Sequence, residues 1–258
     1  MLLAIDSGNT NTVFAVFKDD GEIAGQWRAS TDIERPADEI GVWLDGLMAQ
    51  ESIERTALTD AIIASVVPST LSNLTSLCRD HFKAEPIVIG DDGVDLGIEV
   101  LMDQPEEVGA DRLVNAVAAF ERYGGPLTVV DFGTATTFDV IDGKGNYLGG
   151  VIAPGINLSL EALHQAAAKL PRVAIARPER VIGKSTVPAM QSGIFWGYIS
   201  LIEGVTARIN DEFGETMDVI ATGGLAHLFS EASDVIKSAD VDLTLRGLFL
   251  IHQKNRKT

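Results

Sequence analysis

Two stretches of this chain follow one pattern. Residues 3–17 read LAIDSGNTNTVFAVF and residues 128–142 read TVVDFGTATTFDVID. Each is a short apolar run, then Asp, any residue, Gly, four small polar or Ala positions, and a second β-rich run. Asp6 and Asp131, Gly8 and Gly133, and Thr12 and Thr137 are each 125 positions apart. Each copy continues through a turn, DDGE at 19–22 or DGKGN at 142–146, into another extended stretch, IAGQW from Ile23 or LGGVI from Leu148. LLAI and LTVV read as buried strands, and VFAVF as an alternating strand closed by a Gly-containing hairpin turn. An offset close to half of the 258 residues points to duplication of a βββαβα-type unit. Chance likeness of two hairpins is the alternative; agreement over the whole strand–turn–strand–turn–strand unit makes it the weaker one.

The intervening segments fit two α/β halves. Pro36 to Gln50 puts Ile40, Trp43, Leu44, Leu47 and Met48 on one helical face. DAIIASVVPS at 60–69 reads as a buried strand ending in a turn, with Ser69 as N-cap of a helix carrying Leu71, Leu74, Leu77 and Cys78. PIVIG at 86–90 is another strand. ADRLVNAVAAFERYGG at 110–125 is an amphipathic helix with a Gly-Gly stop, the natural hinge between the halves. In the second half, LSLEALHQAAAKLP is expected to be helical up to Pro171. MQSGIFWGYISLIEGVTARI is a long helix apolar nearly all round, buried by its own domain, by a partner, or by both. MDVIATGGLA at 217–226 is a strand entering a Gly-rich turn, and VDLTLRGLFL a last strand or a strand–helix passage.

Charge narrows the partners. Lys and Arg total 20 against 37 Asp and Glu, a formal net charge of −17. The mean field repels phosphate backbones and anionic lipid surfaces, so neither nucleic acid nor membrane is an expected partner. A small anionic substrate would need local positive potential or a metal ion. The single cysteine, Cys78, fits a reducing compartment. The opening MLLAIDSGNT has no basic segment before its apolar run, and no stretch approaches the 18 apolar residues of a membrane span. A cytoplasmic location is the expectation.

The repeated turns carry phosphate-binding chemistry. A Gly between strands lets backbone N–H groups approach a phosphate, and Thr or Asn side chains add donors. Asn9, Thr10, Asn11 and Thr12 form such a loop, and Asp6 at its strand end suits a hydrated Mg²⁺. Asp131, Thr134, Thr136 and Thr137 offer the same set in the other half, and TGG at 222–224 a third loop. Any one loop taken singly is more simply an Asp- and Thr-capped turn; three at strand ends favour a nucleotide. Familiar motifs fail: VIGKST at 181–186 would need Gly at 178, where Pro178 stands, and no G-x-G-x-x-G follows the first strand. His81, His164, His227 and His252 are scattered without metal-ligand spacing, and Cys78 reads as core. In EEVGADRLVNA at 106–116, Asp111 and Arg112 fall in the first turn of a helix, behind a Gly109 that allows close approach. The plain reading is dipole complement and solvation. The functional one is a carboxylate that takes a hydroxyl proton in phosphoryl transfer, beside an Arg that holds a substrate carboxylate or steadies the transferring charge.

DSGNTNT at the N-terminus, SVVP at 65–68, PEEVGADRLVNAVAA at 105–119, DFGTATTFDV at 131–140, GGVIAPG at 149–155, GKST at 183–186 and TGG at 222–224 resemble type III pantothenate kinases in order and spacing. The resemblance covers essentially the whole chain. It implies the α/β fold of the acetate kinase, sugar kinase, heat-shock ATPase and actin superfamily: duplicated actin-like (ribonuclease H-like) domains with the active-site cleft between them. The expected domains are 1–115 and 116–258. It also implies ATP-dependent phosphorylation of pantothenate at its 4′-hydroxyl, the first step of coenzyme A synthesis, by a typical homodimer. Carried over by position, Asp6, Ser7, Gly8, Asn9, Thr10, Asn11, Thr12 and Val13 are similar to the ATP phosphate site, and Thr134 to a further ATP contact. Gly109, Ala110, Asp111 and Arg112 are similar to the pantothenate segment, with Asp111 the proton acceptor, and Thr186 to another pantothenate contact. Asp131 matches the ligand of a monovalent cation, K⁺ or NH₄⁺, and Asp6 would hold Mg²⁺ through water. The helix from Met190 to Ile209 is the candidate for dimer packing. One position departs: Met102 stands where many members have Tyr, and Gln104 where Asn is usual, which trades a phenolic hydrogen bond for packing against the substrate. The alternative function is a nucleotide-binding regulator of the Bvg accessory factor type, for which Asp111 and Thr186 would have no use.

Overall fold

The computed structural model describes residues 1–166 and 170–256. It contains two compact units, Met1–Arg122 joined by the stretch from Leu243 onward, and Tyr123–Asp242. The first holds β1 (Leu2–Ser7), β2 (Asn11–Phe17), β3 (Ile23–Ser30), α1 (Ala37–Gln50), β4 (Asp60–Ser65), α2 (Pro68–Ser76), β5 (Pro86–Val88) and nearly all of α3 (Ala110–Tyr123). The second holds β6 (Leu127–Phe132), β7 (Ala135–Ile141), β8 (Tyr147–Pro154), α4 (Ile156–Ala166), α5 (Thr186–Phe213), β9 (Asp218–Gly223), α6 (Ala226–Ser230) and β10 (Ile236–Ala239). The last helix, α7 (Leu243–Asn255), returns to the first unit. Compactness thus differs from a division at 115/116: α3 is one unbroken helix and stays with the first unit almost to its end.

The duplication is visible strand by strand. The sheets run β3-β2-β1-β4-β5 and β8-β7-β6-β9-β10, antiparallel across the first three strands and parallel across the rest. Register refines the spacing. Ser7 faces Thr12, whereas Phe132 faces Thr136, so the second turn is one residue shorter and Thr12 corresponds to Thr136 rather than to Thr137. From there the copies agree at an offset of 124: Thr12 faces Ala29 and Thr136 faces Ala153, and the bulge after Val16 recurs after Val140. Even the turns match, Gly21 N–H donating to Lys18 O and Gly145 N–H to Asp142 O. Both of those glycines have positive φ, 86° and 90°, which L side chains resist.

Each sheet buries its central strands on both faces. In β2, Phe14 and Val16 join a cluster with Ile40, Leu44 and Met48 of α1 and with Leu74 of α2. Ala15 and Phe17 join the opposite cluster, with Val114 of α3 and Leu245, Leu248 and Ile251 of α7. The expected alternation of VFAVF is therefore absent, because helices cover both sides. The same packing makes α7 a helix. Leu245, Leu248 and Ile251 lie on one helical face, and burying each contributes about 1.5–3 kcal/mol, against a strand preference spanning about 1 kcal/mol. Gly247 lets α7 press on the backbone of Val114, where a Cβ would collide.

One further expectation needs correction. The residue before α2 is Val67, with Pro68 in the first turn, so Ser69 lies inside the helix and does not cap it. Proline suits that place because its missing N–H would have no helical partner. IKSA at 236–239 forms the short strand β10, parallel to β9. In the second unit α4 ends at Ala166, and the predicted continuation through 167–169 lies outside the described residues. One face of α5 enters the core: Phe195 lies 5.4 Å from Phe229, which stacks at 5.0 Å on Phe132.

Candidate active site

The first loop leaves β1 at Ser7 and re-enters the sheet at Asn11, closed by Gly8 N–H donating to Asn11 O at 3.0 Å. Asn9, Thr10 and Asn11 are exposed, Asp6, Gly8 and Val13 half-buried, and Ser7 and Thr12 buried. Behind the loop lies a chain of hydroxyls. Ser7 Oγ is 3.3 Å from Thr12 Oγ1 and 3.1 Å from Thr70 Oγ1, and Thr12 Oγ1 is 3.0 Å from Thr31 Oγ1. Thr31 donates to Gly8 O at 2.6 Å, and Thr70 donates to Val67 O at 2.9 Å. The loop is pinned to β3 and to the β4–α2 turn, whose Val66 N–H donates to Ser7 O at 3.1 Å.

The same turn meets the segment that starts α3. A Cβ on Gly109 would sit 3.3 Å from Val66 Cγ1 and 2.7 Å from Asp111 Oδ1. Glycine is what leaves the Asp111 carboxylate room at this helix start. Gly109 O accepts from the N–H groups of Arg112 and Leu113, and Asp111 Oδ1 accepts from Arg112 N–H at 2.8 Å. Burial pushes the Asp111 carboxyl above the ordinary carboxylate range, and the Arg112 N–H and its positive charge only partly oppose this. A carboxylate so placed is a stronger base than a solvated one. The first loop is thus fastened to the β4–α2 turn, and Gly109 at the start of the Asp111 segment lies close to Val66 of the same turn. Met102 is half-buried in the irregular chain before α3, and Gln104 is exposed.

In the second unit, Asp131, next to last in β6, lies beside two glycines, Gly133 and Gly223. A Cβ on Gly223 would lie 2.6 Å from Asp131 Oδ1 and 2.7 Å from Phe132 O, and Gly223 has φ of 86°. Oxygen atoms thus surround a position that a side chain would fill. Thr134 is exposed on the turn, whereas Thr136 is fully buried. Thr137 donates to the fully buried Asp139 at 3.1 Å, and so does Tyr147 at 2.8 Å; both contacts hold the sheet. Thr186 opens α5 and lines an apolar groove of ≈ 600 Å³ with Leu163, Leu170, Met190 and Ile194. GKST is not a P-loop: no strand leads into it, and its Gly183 packs on the backbone of α5.

The sequence model of the type III pantothenate kinases matches residues 2–208. The chain belongs to the type III pantothenate kinase family. A type III pantothenate kinase of Paramagnetospirillum magneticum is 67% identical over 255 residues, covering 99% of this chain and 98% of that one. One from Rhodospirillum rubrum is 63% identical over 256 residues, with 99% of both chains covered. Among solved structures, a Baf-family protein from Campylobacter jejuni matches with a TM-score of 0.61 at 20% identity, over 98% of each chain. The activator of 2-hydroxyisocaproyl-CoA dehydratase from Clostridium difficile, with bound ADPNP, matches with a TM-score of 0.53 at 12% identity, over 100% of this chain and 98% of that one. At such identities these structures speak for the fold, which is the duplicated actin-like architecture. The chain is accordingly a kinase of that architecture, and no helix among the described residues is long and apolar enough to cross a membrane.

Three hydroxyls of this kinase were not legible as parts of a site. Ser65, Thr70 and Thr31 lie far from DSGNTNT in sequence; Thr70 and Thr31 meet its hydroxyls directly in the fold, and Ser65 meets Thr70. SVVP offered the one available signal, and its Ser65 accepts from Val67 N–H at 3.1 Å in the turn. Two of the histidines have structural partners: His81 packs on Gly41 and meets Asp45 at 2.9 Å, and His252 lies 3.4 Å from Asp60. Cys78 is fully buried, its thiol pushed up to about 12 by desolvation, as expected of a core residue. No cluster of three or more metal-ligating side chains occurs among the described residues.

Proposed function

We propose that this kinase transfers the γ-phosphoryl group of ATP to the 4′-hydroxyl of pantothenate, giving 4′-phosphopantothenate for coenzyme A synthesis. The observation that carries this reading is the Asp111 carboxylate, made more basic by burial and given room by Gly109. The loop from Asp6 to Val13 holds the phosphates through backbone N–H groups. Asp111 takes the 4′-hydroxyl proton as the phosphoryl group moves in line, and Arg112 pairs with the carboxylate of pantothenate. Ala110 and Met102 supply apolar contact to the same substrate, Thr186 a polar one, and Thr134 a contact to ATP.

Two cations complete the reading. Asp131 Oδ1 and Phe132 O are hard oxygen donors around the space above Gly223, a set that fits K⁺ or NH₄⁺. Such a cation offsets phosphate charge in a chain of net charge −17. A single carboxylate, Asp6, fits Mg²⁺ that keeps water and phosphate oxygens as its other ligands. We place the protein in the cytoplasm as a homodimer. The apolar groove along α5 and the exposed Leu158, Val187 and Ile152 support the dimer.

The test is ADP release by purified protein with ATP and Mg²⁺, with and without pantothenate, in potassium and in sodium buffer. Pantothenate-dependent release, stronger in potassium, is expected. Release indifferent to pantothenate refutes the substrate, and release indifferent to the cation refutes the Asp131 site.

A further inference from the structure

Thr31, one residue past β3, grips the first loop twice. Its N–H donates to Thr10 O at 3.0 Å and its hydroxyl to Gly8 O at 2.6 Å. A hydroxyl has one proton. Since that of Thr31 goes to Gly8 O, the 3.0 Å contact with Thr12 Oγ1 must use the proton of Thr12. Thr70 spends its proton on Val67 O, so Ser7 donates either to Thr70 at 3.1 Å or to Thr12 at 3.3 Å. From Thr12 the hydroxyls therefore run through Thr31 to the loop carbonyl of Gly8, and the Thr12 hydroxyl has no proton left for a phosphate.

The peptide after Gly8 is planar and trans, so its C=O and N–H point in opposite directions. Drawing Gly8 O toward Thr31 turns the N–H of Asn9 the other way, to the outer side of the loop. The second copy lacks this device. Register puts Gly155 at the place of Thr31, since Asn11 faces Ser30 and Ala135 faces Pro154. There a Cβ would collide with Thr134 O and lie 2.9 Å from Gly133 O, so that turn closes directly onto backbone. One copy braces its turn with a side chain and the other has no room for one.

We infer that Thr31 is a positioning residue for the nucleotide: its hydroxyl fixes the Gly8–Asn9 peptide so that the N–H of Asn9 is presented to an ATP phosphate. This rests on reading the loop from Asp6 to Val13 as the phosphate site. Thr31→Val keeps the shape and removes the donor, whereas Thr31→Ser keeps the donor. For each protein, the KM values for ATP and pantothenate, kcat, the calorimetric Kd for a non-hydrolysable ATP analogue and the melting temperature are measured. For Thr31→Val, a rise of about tenfold in the KM for ATP and in the analogue Kd is expected, the scale of one lost charge-assisted hydrogen bond. The KM for pantothenate stays at the wild-type value, and Thr31→Ser restores ATP affinity. An unchanged analogue Kd in Thr31→Val overturns the inference. So does an equal rise in both KM values with a lowered melting temperature, or a Thr31→Ser protein as impaired as Thr31→Val. If wild-type protein releases no pantothenate-dependent ADP, the kinase reading fails, and the analogue Kd still decides the role of Thr31. Wild-type protein that does not bind the analogue overturns both.

Discussion

Gly109→Ala is expected to separate activity from stability. The added Cβ would stand 2.7 Å from Asp111 Oδ1 and 3.3 Å from Val66 Cγ1. Unstrained contacts of this kind need about 3.5 Å, so the carboxylate must retreat by about 0.5–1 Å. Oδ1 is the tip of a side chain and can turn away, which leaves the backbone of α3 in place. The remaining cost is that of Ala at a helix start, about 1 kcal/mol, or a melting temperature lower by about 2–4 °C. Proton transfer is less tolerant, because a misplacement of about 1 Å can lower a rate about 100-fold. Steady-state kinetics in both substrates, with a thermal melt of the same sample, should show kcat down by about 10- to 100-fold and the KM for ATP nearly unchanged. A folded Gly109→Ala protein with kcat within about twofold of wild type would refute the argument that this glycine exists to seat Asp111.

Three other outcomes follow from the geometry. Burial raises the Asp111 carboxyl in the folded state, so its stability contribution is full below the unfolded value of about 3.9 and is lost as pH rises through the folded one. Asp111→Asn should therefore melt above wild type at neutral pH, with the gain vanishing in acid; a lower neutral melting temperature would contradict the burial argument. For the same reason the acid limb of the wild-type kcat/KM profile should lie above the ordinary carboxylate range. Gly223→Ala places a Cβ 2.6 Å from Asp131 Oδ1 at a φ of 86°, so the ratio of activity in potassium to that in sodium should fall toward one; a retained ratio would remove the cation from this cradle. Tyr147→Phe deletes the donor 2.8 Å from the buried Asp139 and should lower unfolding free energy by about 1.5–3 kcal/mol, read by urea titration.

The repeat showed most of the fold in advance because its signal is local. Strand, turn and bulge are written in consecutive residues, and both copies share them. What escaped depends on contacts distant in sequence. VDLTLRGLFL alternates like a strand, and only the sheet face that receives Leu245, Leu248 and Ile251 makes it α7. The one-residue shortening of the second turn is invisible to a constant offset of Asp and Gly and emerges only from strand register. The site divides in the same way. Asp111, Gly109 and the loop from Asp6 were legible from residue type and spacing, whereas Thr31 and Thr70 join the loop across 23 and 63 positions of chain.

The most direct test of the central claim is a single-turnover measurement of labelled γ-phosphate passing from ATP to pantothenate, in wild type and in Asp111→Asn at matched ATP occupancy. The account predicts labelled 4′-phosphopantothenate from wild type, and a transfer rate lower by about 100- to 10,000-fold in the variant with ATP affinity intact. Transfer at the wild-type rate by Asp111→Asn would show that another group takes the hydroxyl proton.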